Sequence, residues 1–262
     1  MHSRFLFEPD QYPLSPFNKR VFNRYFGAHR DLRSTCAISF EPNPRHAARH
    51  KKLEAAYARR GWRYVPIHAG VGPKAGNMTF YTNMRRERKS LGAAGPEALG
   101  IGFSSVDREQ RRTGTDAKYN FDSAQQAITC PVVDLATWIQ AHVEQRRLPP
   151  AATGWLPPAV VVKMDVEGAE FAIVPRLLQE RALCAVNFIS FEWHTTHKFL
   201  PLHFVASPQN ITVRTASEAG ERKRALKAAL SALSAESGCA SHFEHATVDD
   251  ESYFDDGVPL PL

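Results

Sequence analysis

The sequence predicts an α/β protein with a doubly wound, mostly parallel sheet, and three observations support this class. Strand-like and helix-like segments alternate along the chain, which is typical of parallel strands joined by helices. The segment AVVVKMDV at 159–166 opens with a continuous β-branched run, which suits a central strand buried on both faces. The length of 262 residues suits one α/β domain or two small ones, and we assign a single domain over 1–262.

Apolar spacing and turn residues define the elements in the first half of the chain. Residues 17–28 carry apolar side chains at helical spacing, which predicts an amphipathic helix. Asn43 is a favourable N-cap, Pro44 a favourable first helical residue, and Gly61 a favourable end of the helix between them. The other predicted elements are a short apolar first strand at 4–8, a buried strand at 35–41, and strands at 62–67 and 79–82.

The second half combines a long loop with the strongest strand pattern of the chain. Residues 85–122 are polar, basic and rich in glycine, which predicts a long loop, and such loops are usually functional or disordered. The elements predicted after it are a helix over 132–139 capped by Asp134, the strand at 159–166, a helix after Gly168 with Pro175 in its first turn, a strand at 185–193, and a helical insertion over 217–236.

The chain is basic, and its positive charge is concentrated in clusters. The net charge is +6, with arginine and lysine clusters at 45–63, 85–89 and 108–112. Such clusters fit either an anionic partner or the solvated surface of helices and loops. We favour the surface interpretation because aromatic residues are not interleaved with the clusters as stacking platforms. No specific nucleic-acid partner is therefore predicted.

Apolar runs and cysteine spacing set expectations for compartment and redox state. No apolar run approaches the roughly 20 residues of a membrane helix, and the N-terminus has no apolar core of signal-peptide length. We therefore expect no membrane span and, by default, a cytoplasmic location. The cysteines form no CxxC and no close pair with histidine, which predicts reduced, packed thiols and no zinc site. They are Cys36, Cys130, Cys184 and Cys239.

Acidic residues follow most of the predicted strands. In an open parallel sheet, ligands bind beyond the carboxyl ends of the strands, so residues at these ends are candidate binding residues. A sheet with only a structural role would not need acids there. The candidates are Glu8 and Asp10 after the first strand, Glu41 and Asn43 after the second, Ala69 and Gly70 after the third, Asp165 after the fourth, and Glu192 and His194 after the fifth.

Two of these positions have alternative interpretations. Glu41 either accepts hydrogen bonds from both hydroxyls of a ribose or simply faces solvent beside the Asn43 cap. In the segment DVEGAE, we interpret Glu170 as only favouring the N-terminus of the following helix, and Asp165 as facing the active edge of the sheet.

Glu192 and His194 bring an acid and a base to one face of a strand, because residues i and i+2 point alike. This pair suits general-base chemistry by an oriented imidazole. Two alternatives stay open, namely a metal site with Asp165 as a third ligand and a histidine that only closes the strand. The assignment we adopt has Asp165, Glu192 and His194 as catalytic residues and contains no metal.

Four segments resemble the FkbM-type methyltransferases, which have the class I S-adenosylmethionine-dependent fold. They are AISFEPNP, GWRYVPIHAGVG, VVVKMDVEGAEFAIVPRLL and FEWH, and together they span roughly residues 35–194. KMDVEGAE is the most specific of these pieces, and FEPNP is next. The segment SHFEHATVDDESYFDDGVPLP is also similar to the tail of some eukaryotic members.

The resemblance implies a seven-stranded Rossmann-like sheet, S-adenosyl-L-methionine as cofactor, and methyl transfer to a hydroxyl oxygen. The acceptor would be a sugar, a lipid or a secondary metabolite, and the basic loop favours an anionic one. By matching position, Glu41 would hold the cofactor ribose, Ala69 and Gly70 would line the adenine side, and Asp165 would lie beside methyl donor and acceptor. His194 would be the candidate base, and Ser104 and Ser105 would line the cofactor or acceptor pocket.

The chain departs from the family pattern at the first strand. The family has an Asp-x-Gly-Ala-Asn type of loop there, whose glycine lets the backbone approach the methionine part of the cofactor. Here the segment is FLFEPDQYPLSP, which contains no glycine. Either cofactor binding is weakened or absent in a truncated or divergent chain, or Glu8 and Asp10 reach the methionine amino group by another geometry. The alternative function is a catalytically inactive methyltransferase-like binding domain.

Overall fold

The computed structural model describes residues 2–8, 16–82, 103–104, 127–146, 158–166, 168–195, 202–204, 211–236, 239 and 243–247. These residues form a mixed α/β fold with parallel strand pairs. The helices are α1 His2–Phe7, α2 Pro16–Phe26, α3 Ala47–Arg59, α4 Leu135–Ile139, α5 Glu170–Gln179 and α6 Ala216–Ala235. The strands are β1 Cys36–Phe40, β2 Arg63–Ile67, β3 Gly70–Gly72, β4 Gly76–Thr82, β5 Phe103–Ser104, β6 Ala127–Asp134, β7 Val161–Met164, β8 Phe188–Phe191, β9 Leu202–Phe204, β10 Ile211–Val213 and β11 Glu244–Thr247.

Within the described ranges, the strands form four hydrogen-bonded sheets. Strands β1 and β2 are a parallel pair joined through α3, and β7, β8 and β11 form a parallel sheet with β8 in the middle. Strand β6 pairs parallel with β3 and antiparallel with β4, which continues antiparallel to β5. Strands β9 and β10 are an antiparallel pair. The parallel pairs agree with the predicted α/β class.

The main hydrophobic core lies between the β7–β8–β11 sheet and helices α4, α5 and α6. It includes Phe171, Ile173 and Leu177 of α5, with Ile189 and Phe191 of β8. From the C-terminal part it takes Leu230 and Leu233 of α6 and Phe243 before β11. A second cluster joins α1, α3 and β2 through Leu6, Phe7, Leu53, Tyr57 and Tyr64.

Several predicted elements are confirmed. Helix α2 overlaps the predicted amphipathic segment, α6 matches the predicted insertion to within one residue, and β1, β2 and β4 occupy predicted strand positions. Gly61 ends the turn after α3 with a φ of +72°, a conformation that favours glycine. Asp134 caps α4 by accepting hydrogen bonds from the backbone N–H groups of Ala136 and Thr137, at 3.0 and 3.2 Å.

The predicted first strand is wrong, because His2–Phe7 is a helix. A short apolar run does not distinguish a strand from one face of a helix, and here Leu6 and Phe7 pack against α3 in the second core cluster. The boundary of the helix after β1 also differs. A 3₁₀ turn at Pro44–His46 precedes α3, so His46 and not Asn43 occupies the position before the helix.

Two predictions about buried strands are corrected. Strand β7, predicted as central, lies at the side of its sheet within the described residues, and β8 is the central strand with all four residues buried. Strand β1 was expected to be buried, yet Cys36 is exposed and Ile38 is 43% exposed. A continuous run of β-branched residues shows that a strand is apolar. It does not show how many strands lie beside it.

Two boundary predictions in the second half are also corrected. Residues 132–134 continue β6, so the helix begins only at Leu135. Helix α5 begins at Glu170, so Pro175 lies in its second turn and removes one backbone donor from the helix. The predicted loop at 85–122 lies outside the described residues except for Phe103 and Ser104, which form β5 opposite β4.

Two cysteines predicted to be reduced form a disulfide. Cys184, in the 3₁₀ turn after α5, is bonded to Cys239, which lies between α6 and β11, 55 residues along the chain. Cys36 and Cys130 are free thiols, and Cys130 donates to the carbonyl of Pro42 at 3.1 Å. Among the described helices, none has the length and apolarity that crossing a membrane requires.

Candidate functional site

Asp165, Glu192 and His194 converge beyond the carboxyl ends of β7 and β8. The two strands run parallel and in register up to Met164 and Phe191, so the residues that follow leave the sheet side by side. The His194 Nε2 atom lies 3.6 Å from Asp165 Oδ1 and 3.9 Å from Glu192 Oε1. All three side chains are mostly buried, with exposures of 6%, 20% and 13% for His194, Asp165 and Glu192. The structure therefore brings the three predicted catalytic residues together.

Glu170 holds His194 in place from the first turn of α5. Its side chain is fully buried. Its Oε1 accepts the backbone N–H of His194 at 2.6 Å and lies 3.4 Å from the imidazole Nδ1, while Oε2 accepts the N–H of Gly168 at 2.9 Å. Gly168 has a φ of +100°, which a residue with a side chain rarely adopts. The prediction that Glu170 only favours a helix N-terminus is corrected, because it also fixes the backbone of the candidate base.

Lys163 supplies a positive charge beside the cluster. Its Nζ donates to Glu192 Oε2 at 3.2 Å, and both side chains are nearly nine-tenths buried. The pKa of Glu192 is raised, mainly by burial and then by the charge of Asp165, while the Lys163 ammonium and His194 act in the opposite direction. The lysine thus offsets part of the cost of placing two carboxylates together.

Glu41 lies at the end of β1 and is electrostatically coupled to Asp165. Its Oε1 accepts the backbone N–H of Asn43 at 2.8 Å, and Asn43 is buried. Burial raises the pKa of Glu41, the Asn43 hydrogen bond lowers it, and the charge of Asp165 raises it. Glu41 is therefore a mostly enclosed carboxylate within electrostatic range of Asp165, and the alternative of an acid that only faces solvent is disfavoured.

Ala69 and Gly70 lie in a buried turn between β2 and β3. Ala69 is 4% exposed, and its N–H donates to the Ile67 carbonyl at 2.9 Å. Gly70 begins β3 and pairs with Val132 of β6. Two residues further, a Cβ on Gly72 would come within 2.8 Å of a Val132 methyl, so the backbone approaches β6 closely. Ala69 and Gly70 are small and buried, and the turn lies next to the end of β1, because the Glu41 N–H donates to the Ile67 carbonyl at 3.0 Å.

The remaining predicted binding residues are not placed at this site. The Glu8 carboxylate accepts hydrogen bonds from Arg4 and Tyr57 at 2.8 and 2.7 Å, so its contacts are within the second core cluster. Ser104 lies in β5 opposite Tyr81. Asp10 and Ser105 lie outside the described residues.

Sequence reasoning missed Lys163 and Glu170 as members of the site. A signal for Lys163 was present, since it precedes Asp165 by two positions at the end of a strand and so lies on the same face. The sequence indicated only that Glu170 lies at the start of a helix. Its contact with His194 could not be predicted, because the two residues are 24 positions apart.

Another group of titratable side chains lies at the start of α3. The ring of His50 stacks between His46 and His68, with centroid distances of 6.1 and 5.9 Å. Burial, followed by nearby positive charge including that of the two neighbouring histidines, lowers the pKa of His50 to about 3. Its Nδ1 is buried and has no hydrogen-bond partner in the described part of the chain. His50 is therefore neutral under physiological conditions.

Comparison with known proteins adds no relative to these observations. No protein-family model, no curated protein and no solved structure matches the chain. The functional interpretation therefore depends on the residues and geometry of this chain.

Proposed function

We propose that the protein is an S-adenosyl-L-methionine-dependent methyltransferase that transfers a methyl group to a hydroxyl oxygen of a small-molecule or glycan acceptor. The observation that carries the proposal is the convergence of Asp165, Glu192 and His194 at one end of adjacent parallel strands. A Rossmann-like class I sheet is part of this proposal. The sequence resemblance to FkbM-type enzymes supports it at the same positions.

Glu41, with the small residues after β2, would hold the nucleoside part of the cofactor. A carboxylate at the end of a strand accepts hydrogen bonds from two ribose hydroxyls, and Glu41 is enclosed at such an end. Ala69 and Gly70 are small and buried. Because they carry little side-chain volume, the adenine ring would lie against their backbone. The Asn43 N–H fixes one carboxylate oxygen of Glu41 and orients the other.

The cluster beyond β7 and β8 would receive the acceptor. The bound cofactor would supply an electrophilic methyl group, with the bond from sulfur to the methyl carbon broken as the carbon–oxygen bond forms and S-adenosylhomocysteine as the product. The acceptor hydroxyl must lose its proton, and His194 Nε2 or the Asp165 carboxylate takes it. Glu170 fixes the His194 backbone, so the imidazole is preorganised, and rate enhancement comes mainly from positioning.

A second function is favoured by one observation. Residues His2–Phe7 form a helix where the first strand of the methyltransferase sheet was predicted, and the segment after it contains no glycine. A binding domain that has kept the fold but lost methyl transfer would have this feature.

Calorimetric titration with S-adenosylhomocysteine tests the proposal. The chain is expected to bind it with micromolar affinity, and Glu41→Ala is expected to lose that binding. Glu54→Ala is the matched control, because Glu54 is an exposed carboxylate on α3. The absence of binding to the intact chain contradicts the enzyme proposal. Binding without transfer of a labelled methyl group to sugar, lipid or metabolite acceptors favours the binding domain.

A further inference from the structure

The side chains beyond β7 and β8 combine the donor types of a divalent-metal site. Asp165 and Glu192 offer carboxylate oxygens and His194 offers an imidazole nitrogen, and one such atom from each lies within 4.8 Å of the others. Oxygen donors suit Mg²⁺ and Mn²⁺, and imidazole suits metals such as Fe²⁺ and Zn²⁺. Mn²⁺ binds both oxygen donors and imidazole, so it suits a set of two carboxylates and one imidazole. We propose that Asp165, Glu192 and His194 bind one divalent metal ion.

The distances fit this proposal with small movements of the side chains. A cation with ligand bonds of about 2.1 Å separates neighbouring ligand atoms by about 3.0 Å in octahedral geometry. The His194 Nε2 atom is 3.6 Å from Asp165 Oδ1 and 3.9 Å from Glu192 Oε1. Each separation therefore has to shorten by less than 1 Å. The third separation, between the Asp165 and Glu192 carboxylates, is at most 4.8 Å, and the two residues directly follow the paired positions Met164 and Phe191.

A second observation, the contact of Glu170 with His194 Nδ1, also points to a metal. A histidine that binds a metal through one ring nitrogen usually has its other nitrogen oriented by a carboxylate or carbonyl. Glu170 Oε1 lies 3.4 Å from Nδ1 and is hydrogen bonded to the backbone of the same residue. Glu170 therefore lies on the Nδ1 side of the ring, and Asp165 and Glu192 lie on the Nε2 side.

The balance of charge also favours a bound cation. Asp165, Glu192 and Glu170 place three carboxylates around His194, and Lys163 is the cation paired with them in the described part of the chain. Lys163 contacts Glu192 Oε2, which leaves Oε1 directed at His194. A divalent ion would neutralise the remaining charge.

The role of the ion rests on the proposed function, whereas its binding does not. An acceptor hydroxyl bound to the ion has a lowered pKa, as metal-bound water does. His194 Nε2 would then be a ligand, since one lone pair cannot serve both roles, and the Asp165 carboxylate oxygen that does not bind the ion would take the hydroxyl proton. The pH dependence of transfer in the presence and absence of Mn²⁺ distinguishes the two roles.

The test is titration of the full chain with Mn²⁺, followed by electron paramagnetic resonance of free Mn²⁺, with Mg²⁺ and Zn²⁺ as competitors. One saturable site is expected, with affinity reduced at least about tenfold in Asp165→Asn and in Glu192→Gln. Glu236→Gln is the matched control, because Glu236 is an exposed carboxylate paired with Arg181. Thermal unfolding of each variant verifies that it is folded.

No saturable binding to the intact chain, or equal binding by the cluster variants and the control, overturns the metal site. Titration with S-adenosylhomocysteine in the presence of EDTA tests cofactor binding without any metal, so the proposed function is tested separately from the metal site. Cofactor binding without Mn²⁺ binding rejects only the metal, and Mn²⁺ binding without cofactor binding rejects only the methyltransferase.

Discussion

The backbone N–H of His194 donates a 2.6 Å hydrogen bond to the fully buried carboxylate of Glu170. This bond ties His194, three residues after the end of β8, to the first turn of α5, which follows β7. The position of the candidate base is therefore fixed by a residue on its Nδ1 side, whereas Asp165 and Glu192 lie on its Nε2 side.

Replacing Glu170 with Gln should destabilise the fold by about 2–3 kcal/mol, because the two N–H donors from Gly168 and His194 would meet only one oxygen acceptor. The amide nitrogen would face the other donor inside the core. Urea unfolding measures this change. Glu180→Gln is the control, since its pair with Arg176 near the end of the same helix is partly exposed and should contribute under about 1 kcal/mol. Equal effects of the two substitutions would contradict the role of Glu170.

Replacing Lys163 with Met should raise the pKa of Glu192 further above its ordinary value. The ammonium now lowers this pKa against the effects of burial and of Asp165, and methionine keeps the length of the side chain without its charge. Carbon-13 NMR of the glutamate carboxyl groups follows the titration directly. Lys52→Met, an exposed position on α3, should leave it unchanged. An unshifted Glu192 titration in the Lys163 variant would show that the ion pair has no electrostatic effect.

Reducing the Cys184–Cys239 disulfide should lower the free energy of unfolding by about 4 kcal/mol, from the chain entropy of a loop of 55 residues. The urea midpoint in dithiothreitol, compared with that of the oxidised protein, measures the loss. Cys184→Ser should show the same lowered midpoint with and without reductant. Cys36→Ser is the control, because Cys36 is a free exposed thiol, and its midpoint should remain sensitive to reductant.

Lowering the pH from 6.5 towards 3 should destabilise the protein through His50. Its pKa is about 3 in the folded state and about 6.5 when unfolded, so the unfolded chain binds one more proton in this interval. The contribution of His50 to the free energy of unfolding is fully present above pH 6.5 and falls by about 1.4 kcal/mol for each pH unit below it. His50→Gln should flatten this dependence in urea unfolding, and the exposed His29→Gln should not. The same slope in all three proteins would rule out His50 as the cause.

The sequence predicted those elements that have a long periodic pattern or a clear capping residue. Helix α6 has twenty residues with leucines at helical spacing, and Asp134 marks a helix start that the structure shows. The convergence of Asp165, Glu192 and His194 was predicted because parallel strands end at a common edge. That argument also needs the two strands to be neighbours, and β7 and β8, which follow one another along the chain through α5, are paired.

The errors have a common physical cause, which is that contacts between distant segments decide the outcome. The six residues of α1 fit a strand or a helix equally well, and packing of Leu6 and Phe7 on α3 selects the helix. The pairing of Cys184 with Cys239 and the contact of Glu170 with His194 join positions that no local spacing relates. The central place of β8 depends on β11, which occupies a segment predicted only as a tail.

The order β7–β8–β11 has a consequence for how the protein is made on the ribosome. Strand β8 is flanked by β7, which is synthesised before it, and by β11, which ends at Thr247 after helix α6 has been completed. One side of β8, all four residues of which are buried, therefore stays without its partner until Thr247 has been translated. During that interval Phe17 and Tyr25 of α2 cover Phe188, and the covalent link to Cys184 can form only once Cys239 has been translated.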